Sequence, residues 1–180
     1  GLTLTHAHYP LEVKTSIKAE EPWIGQFWDV CLRTLRCCMH ETYEDCPYYE
    51  QLQYMFDARL EILFTYAVSG DTRLAAQALY DYHESQLPDG MIFSRNPCDK
   101  RQIIPSFALH YVLTVADYVR ETGNTDWLTA YLPTVDGILD FYRRHTDENG
   151  CVSHMPLPYW DFLDWIREWG PTRGASPYAE

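Results

Sequence analysis

The stretch DCPYYEQLQYMFD, residues 45–57, places three carboxylates and three tyrosines close together in the chain. Pro47 has no backbone N–H and a φ already near the helical value, so it suits the first position of a helix. We therefore predict a helix over about 47–69, with Asp45 or Cys46 as the residue that caps it. The sequence thus predicts a helix whose N-terminal end is rich in acids.

On that helix Glu50, Tyr54 and Asp57 would fall at i, i+4 and i+7 and would share one face. A second, apolar stripe would hold Leu52, Phe56, Leu60, Leu63 and Ala67, so the helix is expected to be buried nearly all round. Two interpretations of the acids remain open. They either favour the positive end of the helix dipole while exposed to water, or they form a binding or catalytic site.

Hydrophobic periodicity predicts helix after helix and almost no strand, hence an all-α fold. The predicted helices cover about 23–42, 47–69, 72–86, 105–122 and 125–145. Residues 69–74 are echoed by 122–128, and 87–92 by 147–152, which indicates a repeated helix pair of roughly fifty to sixty residues. We expect residues 1–21 to be a linker or strand from a preceding domain, and 22–180 to form helical hairpins.

Composition narrows the class of partner. The net charge of −12 and the pI near 4.9 argue against nucleic acid and against an anionic membrane, because phosphate binding needs a basic surface. The 6 Trp and 14 Tyr suit the faces of sugar rings, although most are expected to fill space between helices. The six cysteines show no zinc-binding spacing, and we expect no metal or cofactor. No signal peptide is evident, and the compartment stays open between bacterial cytoplasm, periplasm and secretion.

The acidic stretch resembles a motif of the bacterial α-L-rhamnosidases, in which Asp-Cys-Pro is followed by Glu and then Asp at this spacing. The resemblance continues through residues 85–92, 102–107 and 159–165, and covers most of the chain from about Trp23 onward. These enzymes are inverting glycosidases built on an (α/α)6 toroid of six helical hairpins. The resemblance therefore implies that this chain is a partial barrel, about the N-terminal half of a catalytic domain, and that its substrate is a rhamnoside.

By resemblance, Glu50 matches the general acid, and Asp45 and Asp57 match acids that bind sugar hydroxyls. Their negative charges would favour the protonated form of Glu50. Tyr54 would line the sugar subsite. An inverting mechanism also needs a carboxylate about 6.5–9.5 Å from the acid to activate water. The family's general base is a Glu from a later hairpin with no match here, so we expect this chain alone to be inactive.

The acidic stretch also departs from the family pattern. Tyr49 stands where many members have Arg, and Phe56 where many have Gly, so another (α/α)6 glycosidase or a non-catalytic carbohydrate-binding domain stays open as an alternative. We nevertheless predict that Tyr49 is one of the substrate-binding residues.

Three further candidates lie near the C-terminus. Trp160, Asp164 and Trp165 resemble a segment that lines the sugar pocket, with anchoring of a loop as the alternative role. Arg95 and Arg101 flank a Pro-containing loop and could close over a ligand, although exposed loop arginines usually have no specific role. A partial barrel would also expose apolar helix faces, which predicts possible self-association.

Overall fold

The computed structural model describes residues 1–152, 155–156, 159–162 and 165. It contains five helices: α1 (Pro22–Cys37), α2 (Met55–Ser69), α3 (Arg73–Glu84), α4 (Pro105–Thr122) and α5 (Thr125–Arg144). The described residues hold isolated β-bridges but no extended strand. The all-α prediction is therefore confirmed.

Two glycines set the helical hairpins. Gly70 ends α2 and Gly123 ends α4, each in the left-handed conformation with φ of 69° and 68°. Glycine adopts this conformation without the steric cost that a Cβ atom imposes. The short connections that follow place α3 beside α2 and α5 beside α4, and α4 packs against α2, α3 and α5.

The predicted sequence repeat corresponds to a repeated turn. The N–H of Leu87 donates to the carbonyl of Met91, and the N–H of Asp147 donates to the carbonyl of Cys151. Gly90 and Gly150 stand at the same place in the two turns, with φ of 98° and 82°. The echo in sequence thus reflects the same backbone geometry after α3 and after α5.

The start of α2 corrects the sequence prediction. The helix begins at Met55, and Tyr54 is its N-cap, so Pro47 is not a helical residue and Asp45 does not cap α2. Glu50 lies in the irregular segment before the helix, and the predicted helical face shared by Glu50, Tyr54 and Asp57 does not exist. The cause is a set of tertiary hydrogen bonds around Gln53, described below.

Other boundaries differ less. Helix α1 ends at Cys37 instead of about residue 42, because the chain turns back through the Met39–Tyr43 bridge.

The predicted apolar stripe of α2 is also partly wrong. Phe56, Leu60 and Leu63 are 37%, 51% and 36% exposed, whereas the buried side of the helix carries Met55, Ala58, Ile62, Thr65 and Val68.

Buried tyrosines form the centre of the helical core. Tyr43, Tyr82 and Tyr111 are fully buried. The hydroxyl of Tyr43 donates to Thr65 Oγ1 at 3.1 Å, and that of Tyr82 donates to the carbonyl of Gln53. Buried phenol groups of this kind need such partners to offset the loss of water. The core therefore reaches the segment that leads into α2.

Residues 1–19 form no helix or strand but follow the surface of the helices. The N–H of Tyr9 donates to the carbonyl of Met39, and the N–H of Lys14 donates to the carbonyl of Val68, both at 2.8 Å. Within the described residues, none of the helices combines the length and apolar composition that a membrane-spanning helix needs.

Candidate active site

The acidic segment before α2 is a closed loop, residues 45–52. The N–H of Asp45 donates to the carbonyl of Leu52 at 3.0 Å, and the N–H of Leu52 donates to Asp45 Oδ1 at 2.9 Å. Gln51 adopts a φ of 55°, which lets the chain reverse before it reaches Leu52. Asp45 thus holds both ends of the loop together.

Gln53 fastens this loop to the core. Its side chain is 2% exposed; Oε1 accepts from the N–H of Tyr43 at 3.2 Å, and Nε2 donates to the carbonyl of Asn96 at 2.8 Å. Its own carbonyl accepts from Tyr82. A buried side-chain amide is stabilised when both its oxygen and its nitrogen are hydrogen-bonded. These bonds hold Gln53 outside the helix, and a helix that began at Pro47 would break them.

Glu50 lies on the outer part of the loop and is held at two points. Its backbone N–H donates to Cys46 Sγ at 3.3 Å. Its side-chain Oε2 accepts from the hydroxyl of Tyr54 at 2.6 Å, which is a short, charge-assisted type of bond when the carboxyl is ionised. The carboxyl group is exposed, so a ligand can reach it.

Tyr54 has a second partner that the sequence analysis missed. Arg95 Nη1 donates to the Tyr54 hydroxyl oxygen at 3.0 Å, and the guanidinium lies 5.7 Å from the centre of the Tyr54 ring. Arg95 is half-buried, so the expectation that it is an exposed loop residue is wrong. A contact between residues 41 apart through an irregular loop leaves no periodic signal in the sequence.

Asp57 lies in the first turn of α2, beside the loop. Burial raises the pKa of its carboxyl group, and the negative charges of Asp45 and Glu50 raise it further. The three acids of the motif therefore do lie close enough to influence one another, although they do so from a loop and a helix instead of one helical face.

Glu61, one turn beyond Asp57, is a fourth acid that the sequence analysis did not single out. Burial first, and then the charges of Asp57, Asp45 and Glu44, raise the pKa of Glu61 to about 9. Its Oε2 atom is buried and has no hydrogen-bond partner. The signal in the sequence was a carboxylate four residues after Asp57, followed directly by the apolar run Ile62–Leu63–Phe64.

The three acids of the motif line a cleft of about 230 Å³. Asp45, Glu50, Tyr54 and Asp57 are its polar lining residues, and the remaining ones are apolar or aromatic: Phe56, Ile104, Phe107, Trp160, Phe162 and Trp165. A cleft that combines acids with flat rings suits a sugar, whose hydroxyl groups need polar partners and whose C–H faces need apolar ones. A second cavity of about 380 Å³, beside α1 and α2, shares Asp45 and Asp57 with this cleft.

The aromatic wall is built from neighbouring rings. Phe107 of α4 contacts Tyr54 and Phe56 with ring centres 6.3 and 5.7 Å apart. Trp160 is fastened by its backbone N–H, which donates to the carbonyl of Ile103 at 2.8 Å. The indole Nε1 of Trp160 is buried without a hydrogen-bond partner, so it is a donor that a ligand hydroxyl would satisfy.

The remaining candidates have different positions. Trp165 lines the cleft and its ring centre lies 5.7 Å from that of Trp160. Tyr49 is not among the lining residues: its side chain is 88% exposed and contacts the ring of Tyr48. Asp164 lies outside the described residues. Phe56 packs on Phe107 and His110 and lines the cleft.

The described residues offer little to a metal ion. His, Cys, Asp and Glu side chains in this part of the chain form no group of three or more suited to hold one. The carboxyl groups that line the cleft are suited to proton transfer and to the binding of hydroxyl groups.

A family model extends the match beyond the motif. The model of the bacterial α-L-rhamnosidase six-hairpin glycosidase domain matches residues 12–177. The chain belongs to this family. The rhamnosidase resemblance and the helical-hairpin architecture predicted from sequence are therefore confirmed, and the domain is a glycosidase-type domain.

Solved structures agree with the family. A GH78 family rhamnosidase of Bacillus sp. GL1 is similar with a TM-score of 0.81 and 28% identity over 88% of this chain. A rhamnosidase from Klebsiella oxytoca with rhamnose bound shares the fold, with a TM-score of 0.77 and 21% identity over 86% of this chain. No curated protein sequence matches. The chain spans 16% and 31% of the lengths of these two structures.

Proposed function

We propose that this domain contributes the acid side of the active site of an inverting α-L-rhamnosidase, which releases terminal L-rhamnose from glycosides or polysaccharides. The observation that carries the proposal is the cleft itself. Glu50, Asp45 and Asp57 line the same cleft as several aromatic rings, and the Glu50 carboxyl group is exposed and held by Tyr54. Family membership favours rhamnosides as the substrate class.

In this proposal Glu50 donates a proton to the glycosidic oxygen, and Asp45 and Asp57 bind sugar hydroxyl groups. Trp160, with its unpartnered indole N–H, and Trp165 form the wall against which the sugar packs. Tyr54 holds the acid in place. Tyr49 has no role in the proposal, because its side chain lies outside the cleft. Asp164 lies outside the described residues and stays a predicted substrate-binding residue.

The general base would come from a part of a longer protein, so we propose that residues 1–180 alone do not hydrolyse the substrate. The lengths of the similar structures support this, since this chain corresponds to a fraction of each. We also propose that residues 22–180 are a part of the barrel domain and that residues 1–21 lead into it. No partner other than carbohydrate follows from the site.

The test is hydrolysis of an aryl α-L-rhamnoside by the gene-length protein, wild type against Glu50→Gln, with the exposed Glu148→Gln as the matched control. We expect a loss of about 10²–10⁴-fold in kcat for Glu50→Gln and no change for the control. NMR of the first-formed sugar should show inversion at the anomeric carbon. Equal activity of wild type and Glu50→Gln would contradict the assignment of the acid.

A panel of other aryl glycosides tests which sugar the enzyme releases. Phe56 lines the cleft at a position where the resembled motif often has Gly, which favours a different sugar as the second candidate substrate. Hydrolysis of another glycoside in preference to the rhamnoside would select that candidate. Rhamnose binding without hydrolysis of any glycoside, unchanged in Glu50→Gln, would instead indicate a carbohydrate-binding domain.

We further propose that the isolated 180-residue chain pairs with a second copy of itself. Trp23 and Phe27 of α1 are each 61% exposed, and Leu60 of α2 and Leu113 of α4 are 51% and 46% exposed. Apolar side chains in this number on neighbouring helices favour association. Sedimentation of the isolated chain should give a dimer or larger species, and a compact monomer would contradict the proposal.

A further inference from the structure

A continuous hydrogen-bond chain runs from the Arg95 loop to the acid of the cleft. Arg95 Nη1 donates to the Tyr54 hydroxyl oxygen at 3.0 Å, and the Tyr54 hydroxyl donates to Glu50 Oε2 at 2.6 Å. The backbone supports the alignment, because residues 54 and 95 form an antiparallel bridge and the N–H of Met55 donates to the carbonyl of Ser94 at 2.9 Å. The three side chains are thus held in order.

The chemistry of the groups fixes the direction of this chain. A guanidinium donates hydrogen bonds and has no acceptor atom, so the Tyr54 oxygen must accept from Arg95. The single hydroxyl proton of Tyr54 is then committed to Glu50. Glu50 Oε2 is therefore an acceptor, and a proton on this carboxyl group must be carried by the other oxygen, Oε1.

We propose that Arg95 is a positioning residue that acts through Tyr54 to keep the transferable proton of Glu50 on Oε1. The inference rests on the proposed function, in which Glu50 is the acid. In the reaction the Oε1–H bond breaks as its proton moves to the glycosidic oxygen, and the electron pair of the breaking C–O bond goes to that same oxygen. Water supplies the new C–O bond, and its proton goes to the general base.

The role of Arg95 follows from what Tyr54 would do without it. A phenol hydroxyl can accept a hydrogen bond as well as donate one, so in the absence of Arg95 the Glu50 proton is free to sit on Oε2 and point to Tyr54. The buried Nε of Arg95 has no partner, and the hydrogen bond from this guanidinium goes to Tyr54 among the described residues. Burial raises the pKa of Tyr54 to about 12, so the phenol stays protonated at neutral pH.

Charge also favours this arrangement after the proton has left. The groups that face Glu50 are the carboxylates of Asp45 and Asp57, the phenol of Tyr54 and, behind it, the cation Arg95. The cation polarises the phenol towards the new carboxylate and partly offsets the two negative neighbours. Arg95 thus favours both the direction of the proton and the anion that its transfer leaves.

The test compares Arg95→Met and Arg95→Lys in the gene-length protein, with Lys100→Met, an exposed cation of the same loop, as the control. Two rhamnosides are used: a methyl rhamnoside, whose leaving oxygen needs a proton, and a dinitrophenyl rhamnoside, whose leaving group does not. We expect Arg95→Met to lower kcat about tenfold to a hundredfold on the methyl substrate, with KM little changed and the dinitrophenyl rate retained. Arg95→Lys should recover part of the loss.

The same variants have a readout that does not depend on turnover. With 3-fluorotyrosine at position 54, the ¹⁹F signal reports the ionisation of the phenol. Arg95 stabilises the phenolate and Glu50 destabilises it, so Arg95→Met should raise the pKa of this phenol and Glu50→Gln should lower it. Circular dichroism of each variant checks that the helices are retained.

The inference is overturned if Arg95→Met leaves both rates unchanged, or lowers them equally, as a general structural defect would. It is also overturned if the ¹⁹F titration of Tyr54 does not move in Arg95→Met. Wild-type protein that cleaves neither rhamnoside would instead remove the proposed function, and with it the catalytic part of the inference. The ¹⁹F titration would then show by itself whether Arg95 and Glu50 are hydrogen-bonded to Tyr54.

Discussion

Asp45 and Leu52 bind each other twice, through the backbone N–H of Asp45 at 3.0 Å and through Asp45 Oδ1 at 2.9 Å. This pair closes the loop that carries Glu50. The first member of the acidic motif is therefore a structural acceptor as well as a candidate sugar ligand, and one of its oxygens is committed to the protein.

Substitution of Asp45 separates these two roles. We expect Asp45→Ala to lower the free energy of unfolding by about 1–2 kcal/mol, because the partly buried N–H of Leu52 loses its acceptor. Asp45→Asn keeps a carbonyl oxygen for that N–H and should cost less. Chemical denaturation measures both values; equal losses in the two variants would contradict a structural role for Oδ1.

The thiol of Cys46 should matter through the backbone of Glu50. Its Sγ accepts from the N–H of Glu50 at 3.3 Å, so Cys46→Ala frees that part of the loop. We expect a few-fold loss of kcat for Cys46→Ala and a smaller loss for Cys46→Ser, which keeps an acceptor. The exposed Cys151→Ala is the control, and rhamnosidase activity of the gene-length protein is the measurement. An unchanged kcat in Cys46→Ala would show that the thiol contact is dispensable.

Glu61 makes the stability of the domain depend on pH. Its pKa is about 9 in the folded chain against an ordinary value of 4.5, so between these values the folded state binds a proton that the unfolded state has lost. The free energy of unfolding should therefore fall as pH rises from about 5 to 9. Asp57, whose pKa is also raised, contributes in the same direction.

Glu61→Gln should reduce this dependence, because a neutral amide does not ionise on unfolding. We expect the variant to be more stable than wild type at pH 8 and close to it at pH 5. Denaturant titrations at several pH values measure the effect, with Glu148→Gln as the exposed control. The same dependence of stability on pH in wild type and in Glu61→Gln would contradict a protonated Glu61 in the folded chain.

Trp160 allows the hydrogen bond and the ring to be tested separately. Trp160→Phe keeps an aromatic ring but removes the unpartnered Nε1 donor, whereas Trp160→Ala removes both. If a sugar hydroxyl takes that donor, Trp160→Phe should raise KM about fivefold, which is about 1 kcal/mol, and Trp160→Ala should raise it more. Phe162→Leu, at a neighbouring wall position, is the comparison. A KM for Trp160→Phe equal to wild type would contradict a hydrogen bond from the indole to the substrate.

The boundaries that the sequence predicted well are those with local causes. Pro105 at the start of α4, Gly123 at its end and Asn124, whose side chain accepts from the N–H of Trp127 at the start of α5, act within a few residues of themselves. Helix signals of this kind are visible without knowledge of the fold. The five helices were therefore predicted in order, and four of the five starts were placed within one residue.

The start of α2 has a distant cause and was wrong. Pro47 carries a valid local signal for a helix, but Gln53 is drawn into the core by Tyr43 and Asn96, which are distant in sequence or irregular in structure. The acids nevertheless line one cleft. They were identified from the family motif, and that identification does not depend on helical spacing. Arg95 was missed for the same physical reason, since its partner Tyr54 is reached across two loops.

Gln53 also couples the acid to the whole fold. Its side-chain amide binds the backbone of Tyr43 and Asn96, and its backbone carbonyl accepts from the hydroxyl of Tyr82. All three partners become exposed when the helices separate. A site fastened in this way does not open by itself ahead of the rest of the molecule. Thermal inactivation should then coincide with global melting, and the amide of Tyr43 should exchange its hydrogen for deuterium at the slow rate of the core.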